Sequence, residues 1–538
     1  MSEANGETML SSSFLFLAAL QLTTTLAVSQ FDWETLDAGT TLKWTPCYQG
    51  FQCTLLQVPL DYTAPTGSNA SIAIVRLPSA APKSEYRGPL LFNPGGPGSS
   101  GVDAIVQNGA AFATIFGSEF DIVGFDPRGI SYSTPHISFF NTDVERELTI
   151  PSNPNIVYPS INASSDALAR ELAHWQLLGK LAVARDEGGY LQHMTTDNIA
   201  RDMLRITEAF GFGKLQYWGV SYGSVLGATF ASLFPDKVGR LIIDGVLDMD
   251  GYYHANSTSQ MTETDTALQT FFDSCVAAGP ARCAFHAPNA SAIATNLAAL
   301  TTRIRAQPVA AVTPAAHGIV DFDALRNALL AALFAPYDSF PPLAQALADL
   351  AAGNASAMYT LNAPPPFACG APRSSANPLE SYMTIACGDA APVADDLASL
   401  RAFYEAATSV SSFADLLAST RVVCSGWKIH REGRFQGPIG ARNTSFPLLI
   451  VGNTVDPVTP LAGAVKAVQA FPGSVLLTLD AIGHTSLTAP SRCIYGYFRE
   501  YFVNGTLPAL GTVCPADAVL FADGRKGNAT ASGTPPKR

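Results

Sequence analysis

The chain has 538 residues, 47% of them hydrophobic and only 14% charged, with 32 Lys and Arg against 44 Asp and Glu. The apolar fraction suits a folded core, and the length exceeds the roughly 300 residues that one core fills, so a second subdomain is expected. A net charge of -12 without a basic cluster argues against nucleic acid or an anionic membrane as a partner.

The apolar run 14–27 ends in Ala27-Val28-Ser29, a small-x-small cleavage pattern, which predicts a signal peptide over residues 1–29. Residues 1–8 contain Glu3 and Glu7 and no basic residue, so Met9 is an alternative start. A membrane-spanning helix is the other reading of this run, but Gln21 and Thr23, Thr24 and Thr25 interrupt it, and it falls short of about 20 apolar residues.

Residues 30–250 read as the first part of an α/β core. Trp44-Thr45-Pro46-Cys47 and strands over 54–60 and 72–77 fit a leading antiparallel edge, after which strand and helix signals alternate up to Leu241-Ile242-Ile243-Asp244. Over 251–420 the alternation stops, Ala and Pro rise, and helical runs at 322–333, 343–352 and 393–408 dominate, which predicts an inserted, mainly helical cap. Their heptads are too short for a coiled coil, so a lid over the site is the better reading. Residues 421–522 return to strand and helix as the second part of the core, and 523–538 read as a disordered tail. The predicted fold class is thus α/β, with a mostly parallel sheet and a helical cap.

Gly219-Val220-Ser221-Tyr222-Gly223 writes Gly-x-Ser-x-Gly between an apolar strand-like run at 214–219 and a helix-like run at 224–234. That is the setting of a nucleophile elbow, whose turn is so tight that the serine is strained and its neighbours must be small. A serine hydroxyl is a weak nucleophile and needs a base, an orienting acid and donors for the oxyanion. A strand over 446–452 delivers Asp456, and after a helix over 460–471 a second strand over 474–480 leads to Gly483-His484. The order Ser, Asp, His is that of α/β-hydrolases. Asp244, after the strand 240–243, is a rival orienting acid, and Asp456 could instead cap a helix; Asp456 is preferred because it lies one strand and one helix before His484. The remaining histidines, His136, His174, His193, His254, His286, His317 and His430, do not follow a strand in such a Gly-His turn.

A strand over 90–93 runs into Pro94-Gly95-Gly96-Pro97-Gly98-Ser99-Ser100-Gly101, where glycine lets the backbone approach a substrate. The amide of Gly96, with Gly95 as the alternative, and the amide of Tyr222 are the expected oxyanion donors. No Lys follows these glycines as a phosphate-cradling loop would require.

On Asn93-Pro94-Gly95-Gly96-Pro97-Gly98, Asp126-Pro127-Arg128-Gly129, Gly219-Val220-Ser221-Tyr222-Gly223, Asp456 and Gly483-His484, the chain resembles the proline iminopeptidase and tripeptidyl aminopeptidase group of α/β-hydrolases, the secreted branch with a TAP-like C-terminal region. The resemblance implies a triad of Ser221, Asp456 and His484, a first oxyanion element in the Gly-Gly-Pro-Gly loop, and a supporting role for the loop at Asp126. Pro94 stands where many iminopeptidases carry His, so the Pro-specific subgroup is the weaker match. The group also includes hydrolases of small-molecule esters and amides.

Asn69, Asn162, Asn256, Asn289, Asn354, Asn443, Asn504 and Asn528 each begin an Asn-x-Ser/Thr sequon, which points to passage through a eukaryotic secretory pathway and an extracellular location. The nine cysteines lack Cys-x-x-Cys spacing and read as disulfides rather than metal ligands. The plausible pairs are Cys47 with Cys53, Cys275 with Cys283, Cys493 with Cys514, and Cys387 with Cys424, with Cys369 left over. No cofactor or metal is expected. The leading expectation is a secreted serine exopeptidase that releases short N-terminal units from peptides, with Glu380 and Asp389 as candidates to bind the substrate ammonium. The alternatives are a small-molecule esterase, lactonase or amidase with the same triad, and a non-catalytic binding protein of the same fold.

Overall fold

The strands run in the order β1 (Thr45–Cys47), β2 (Phe51–Pro59), β3 (Asn69–Leu77), β4 (Gly88–Asn93), β5 (Phe120–Phe125), β6 (Leu215–Val220), β7 (Val238–Asp244), β8 (Val309–Val312), β9 (His317–Val320), β10 (Leu449–Val455), β11 (Val475–Ile482) and β12 (Val513–Pro515). They belong to a computed structural model that describes residues 31–150, 159–314, 316–362 and 378–522. Ten form one sheet in the order β1-β2-β3-β5-β4-β6-β7-β10-β11-β12, while β8 and β9 pair separately as a hairpin. The edge β1-β2-β3 and its junction with β5 are antiparallel, and the pairs from β5 through β12 are parallel. This is the α/β-hydrolase architecture.

The parallel strands are apolar on both faces because helices cover both. All six residues of β4 and all six of β5 are buried. Neighbouring strand residues part to opposite cores, as the period of two demands: Tyr217 joins one and Trp218 the other. The Trp218 side is an aromatic cluster with Phe92, Phe112, Phe116 and Phe498, under the helices Gly101–Phe116 and Arg492–Asn504. The Tyr217 side carries the helices Thr196–Ala209, Tyr222–Leu233 and Leu461–Ala470, and this core continues without a break into the helices between β7 and β10.

Two predicted cap helices differ at their starts. Asp396 accepts the Ser399 amide at 2.8 Å, so the second starts at Leu397 rather than 393. The run expected from 343 begins at Pro336 and contains Pro341 and Pro342; proline at the first helical position is pre-set for the turn. The chain also leaves the sheet between β5 and β6, which local patterning does not reveal. There the helix Ala167–Arg185 crosses Ser419–Ser425 at Gly179 and Gly426, and a Cβ on Gly179 would lie 1.9 Å from the Gly426 carbonyl oxygen. Backbone contact that close needs glycine.

The four expected disulfides are formed, Cys47–Cys53, Cys275–Cys283, Cys387–Cys424 and Cys493–Cys514; Cys369, the signal segment and the 523–538 tail lie outside the described residues. Among the described residues, no helix is long and apolar enough to cross a membrane.

Candidate active site

Ser221 lies between the end of β6 and the helix Tyr222–Leu233, with φ 57 and ψ -122. A non-glycine residue in that region is strained and must be held there by its surroundings. The hold is visible on both flanks. A Cβ on Gly219 would sit 2.4 Å from the Gly223 carbonyl oxygen, and one on Gly223 would sit 2.8 Å from the Asn93 carbonyl oxygen. The Ser221 amide donates to the Asp244 carbonyl at 2.9 Å, which ties the turn to the neighbouring strand end.

Asp456 follows β10 and His484 follows β11, so parallel pairing of these strands brings them together. His484 Nδ1 lies 3.1 Å from each Asp456 carboxylate oxygen, and both side chains are buried. Asp456 also accepts the amides of Val458, Thr459 and Thr485 and the Thr459 hydroxyl. Burial pushes its pKa up, but the His484 imidazole and these hydrogen bonds outweigh that and hold it below the ordinary value. Thr459 Oγ1 also lies 3.0 Å from His484 Nδ1.

Each amide around the histidine has a fixed acceptor. Gly483 donates to Val455 O and His484 to Phe334 O, while Thr485 and Ser486 donate to the carboxylates of Asp456 and Asp244. Asn453 Nδ2 donates at 2.7 Å to both Gly483 O and Thr485 O. Phe334 reaches in from the helices between β7 and β10: its carbonyl ends the helix Phe322–Phe334, and Pro336, starting the next helix, has no amide to offer it. Asp244 takes the Ser486 amide and hydroxyl at 2.9 and 2.5 Å and the Trp218 indole at 3.3 Å. Burial raises its pKa to about 6.

The glycine loop lies against the serine. A Cβ on Gly95 would be 2.7 Å from Val220 O, 3.0 Å from Ser221 Cβ and 3.2 Å from the Tyr222 amide nitrogen. The Gly95 amide donates to Asn93 Oδ1 at 3.0 Å, and Gly96 is exposed. Asp126 anchors the far end of this loop by accepting the Ser100 hydroxyl at 2.6 Å and the Val102 amide at 3.1 Å.

Glu380 and Asp389 are both buried and already engaged. Glu380 accepts the Phe139 amide and the Arg146 guanidinium, each at 2.6 Å. Its neighbour Ser381 packs on the glycine loop, with its Cβ 2.6 Å from where a Cβ on Gly98 would lie. Asp389 accepts the Thr196 amide at 2.9 Å, its hydroxyl at 2.5 Å and the Tyr252 hydroxyl at 2.8 Å. Thr196 Oγ1 in turn lies 2.6 Å from the Tyr222 hydroxyl, so Asp389 supports the residue after Ser221 from behind. Burial raises its pKa to about 7.

Sequence reasoning passed over Thr459, Asn453 and Phe334. Thr459 carries a faint signal, three residues after an acid in a turn; Phe334 carries none, because only tertiary packing brings it here. Among the described residues, no group of three or more His, Cys, Asp or Glu is arranged to hold a metal. Asn69, Asn162, Asn256, Asn289, Asn354, Asn443 and Asn504 are all exposed, and Asn528 lies outside the described residues.

Residues 409–514 match the model of the TAP-like protein family. The chain is 30% identical over 510 residues to the tripeptidyl aminopeptidase of Streptomyces lividans, covering 90% of this chain and 87% of that protein. It is 28% identical over 493 residues to the serine protease Hip1 of Mycobacterium tuberculosis, covering 88% and 91%. It is also 28% identical over 476 residues to carboxylesterase B of Mycobacterium tuberculosis, covering 86% of each chain.

Proposed function

The chain belongs to the tripeptidyl aminopeptidase family of α/β-hydrolases and is a serine hydrolase, and from that premise we propose that it is a secreted exopeptidase cleaving peptides through an acyl-enzyme on Ser221. The observation that carries this reading is the buried His484–Asp456 pair on the strand ends beyond a strained Ser221, with the Gly95 loop against the serine. Asp456 holds Nδ1 protonated and orients the imidazole, His484 takes the Ser221 proton, and the tetrahedral oxyanion is met by backbone amides. Of the two loop glycines, Gly96 is the better donor, since the Gly95 amide is spent on Asn93. Tyr222 supplies the second amide.

Of the two ammonium candidates, Glu380 is the one whose neighbour Ser381 packs on the glycine loop, and its carboxylate would have to be shared with Arg146; Asp389 instead steadies Tyr222. Exposed sequons and four disulfides support export. The second reading, a small-molecule esterase, is favoured by the likeness to carboxylesterase B.

Two measurements decide. A fluorophosphonate should label the wild type and not Ser221→Ala, whose kcat should fall by up to about a millionfold. kcat/KM for one peptide amide with a free and an acetylated N-terminus should favour the free amine by about tenfold or more, and Glu380→Gln should reduce that preference. Activity on esters alone would hand the assignment to the second reading.

A further inference from the structure

The inference rests on Ser221, His484 and Asp456 being the reacting triad. With Nδ1 of His484 held by Asp456, Nε2 is the nitrogen that exchanges protons. In acylation Ser221 Oγ bonds to the carbonyl carbon while its proton passes to Nε2. The tetrahedral intermediate then collapses, the bond to the departing nitrogen or oxygen breaks, and Nε2 returns the proton to that atom. The departing atom must therefore come within about 3 Å of Nε2. Whatever it carries extends along the flank of the imidazole.

The cap supplies that flank. The Phe334 ring stands against His484 with centroids 5.1 Å apart and planes at 72°. Its place is set by its own backbone: Phe334 O accepts the His484 amide at 2.8 Å and the Thr488 hydroxyl at 3.2 Å. A Cβ on Gly483 would lie 2.7 Å from Pro336 Cδ and 3.0 Å from Phe334 O, so the cap joint sits directly on the histidine loop. Phe334 as a residue is only partly buried and packs against the larger core. The serine side of the site, in contrast, meets the backbone of Gly95, which offers almost no apolar area.

We propose that the Phe334 ring is the wall of the leaving-group subsite, so that the enzyme selects amides or esters whose departing amine or alcohol carries an apolar substituent. A partly buried phenylalanine beside the reacting base gains when such a substituent covers it, and hydrophobic pockets discriminate by about tenfold or more for each added methylene. The effect is confined to acylation, because the leaving group has gone before water attacks the acyl-enzyme.

The test uses the full chain and peptides sharing one N-terminal tripeptide followed by Gly, Leu or Phe amide. Wild type should show kcat/KM at least about tenfold higher for Leu and Phe than for Gly. Phe334→Ala should bring the three to near parity by losing about tenfold more rate on Leu and Phe than on Gly, with Phe334→Leu in between. An equal loss on all three substrates, or no loss, overturns the proposal. Thermal melting checks each variant, and Phe334→Leu, which keeps volume, decides the case if Phe334→Ala does not fold. If wild type cleaves no peptide, methyl, butyl and benzyl esters of one acid replace the series with the same criteria. Turnover surviving in Ser221→Ala would instead mean that the triad reading has failed.

Discussion

Asp244 accepts both the amide and the hydroxyl of Ser486, at 2.9 and 2.5 Å, and so grips the histidine loop two residues beyond His484. Asp456 engages the imidazole itself, at 3.1 Å through each oxygen. The two buried acids therefore fail differently when made neutral. Asp456→Asn should lower kcat on the order of ten-thousandfold by favouring the wrong tautomer. Asp244→Asn should lower the melting temperature and cost activity at least about a hundredfold less. The reverse ranking in steady-state kinetics would make Asp244 the orienting acid.

Thr459→Val tests the support around that pair. The hydroxyl donates to Asp456 Oδ2 at 2.7 Å and stands 3.0 Å from His484 Nδ1. Hydrogen bonds to charged groups contribute about 1.5 to 3 kcal/mol, so kcat should fall about 10- to 100-fold with KM little changed. Unchanged kcat would show that the Val458 and Thr459 amides orient the carboxylate unaided.

Gly95→Ala should be worse than its size suggests. The position has φ 94, where an L side chain is strained, and the new methyl would fall 2.7 Å from Val220 O and 3.0 Å from Ser221 Cβ. The loop must retreat from the serine, which should cost kcat about a hundredfold, the scale of one lost oxyanion donor, while circular dichroism stays native. Gly50→Ala is the control, because its φ of 86 carries the same strain with nothing within 4 Å.

The buried carboxyls predict a stability maximum on the acid side of neutrality. Asp389 and Asp126 are raised by burial to about 7 from an ordinary 3.8, so the folded state favours their protonated forms. The stability they contribute is complete below the ordinary carboxyl range and is lost as pH rises through about 7. Asp456, lowered overall, works in the opposite sense: its contribution is present above the ordinary value and is lost as pH falls through its depressed pKa. Melting temperature should therefore decline from pH 5 to pH 8, and Asp389→Asn, neutral throughout, should flatten that decline. An unchanged slope in Asp389→Asn would place its titration outside this range.

Much of this molecule is written locally. Gly219 and Gly223 announce the tight turn at Ser221 because any side chain there would strike backbone within the same turn or the adjoining strand end. The cysteine pairs are legible because three of them close short loops, of 6, 8 and 21 residues. The strand-then-helix rhythm needs only periodicity and the burial it implies. What the sequence leaves open is decided by contacts between distant segments. Nothing near Glu380 in the chain foretells Arg146, and nothing near Asp389 foretells Thr196 and Tyr252, yet those partners already engage the two carboxylates expected to bind a substrate ammonium. Phe334 falls one residue past the helical run expected over 322–333 and carries no signal of its own; only tertiary packing turns its carbonyl and ring onto His484. Patterning reports which residues seek burial, because that preference belongs to each side chain. Which group they are buried against depends on tertiary packing, and in this protein that packing decides how the helices between β7 and β10 meet the histidine loop.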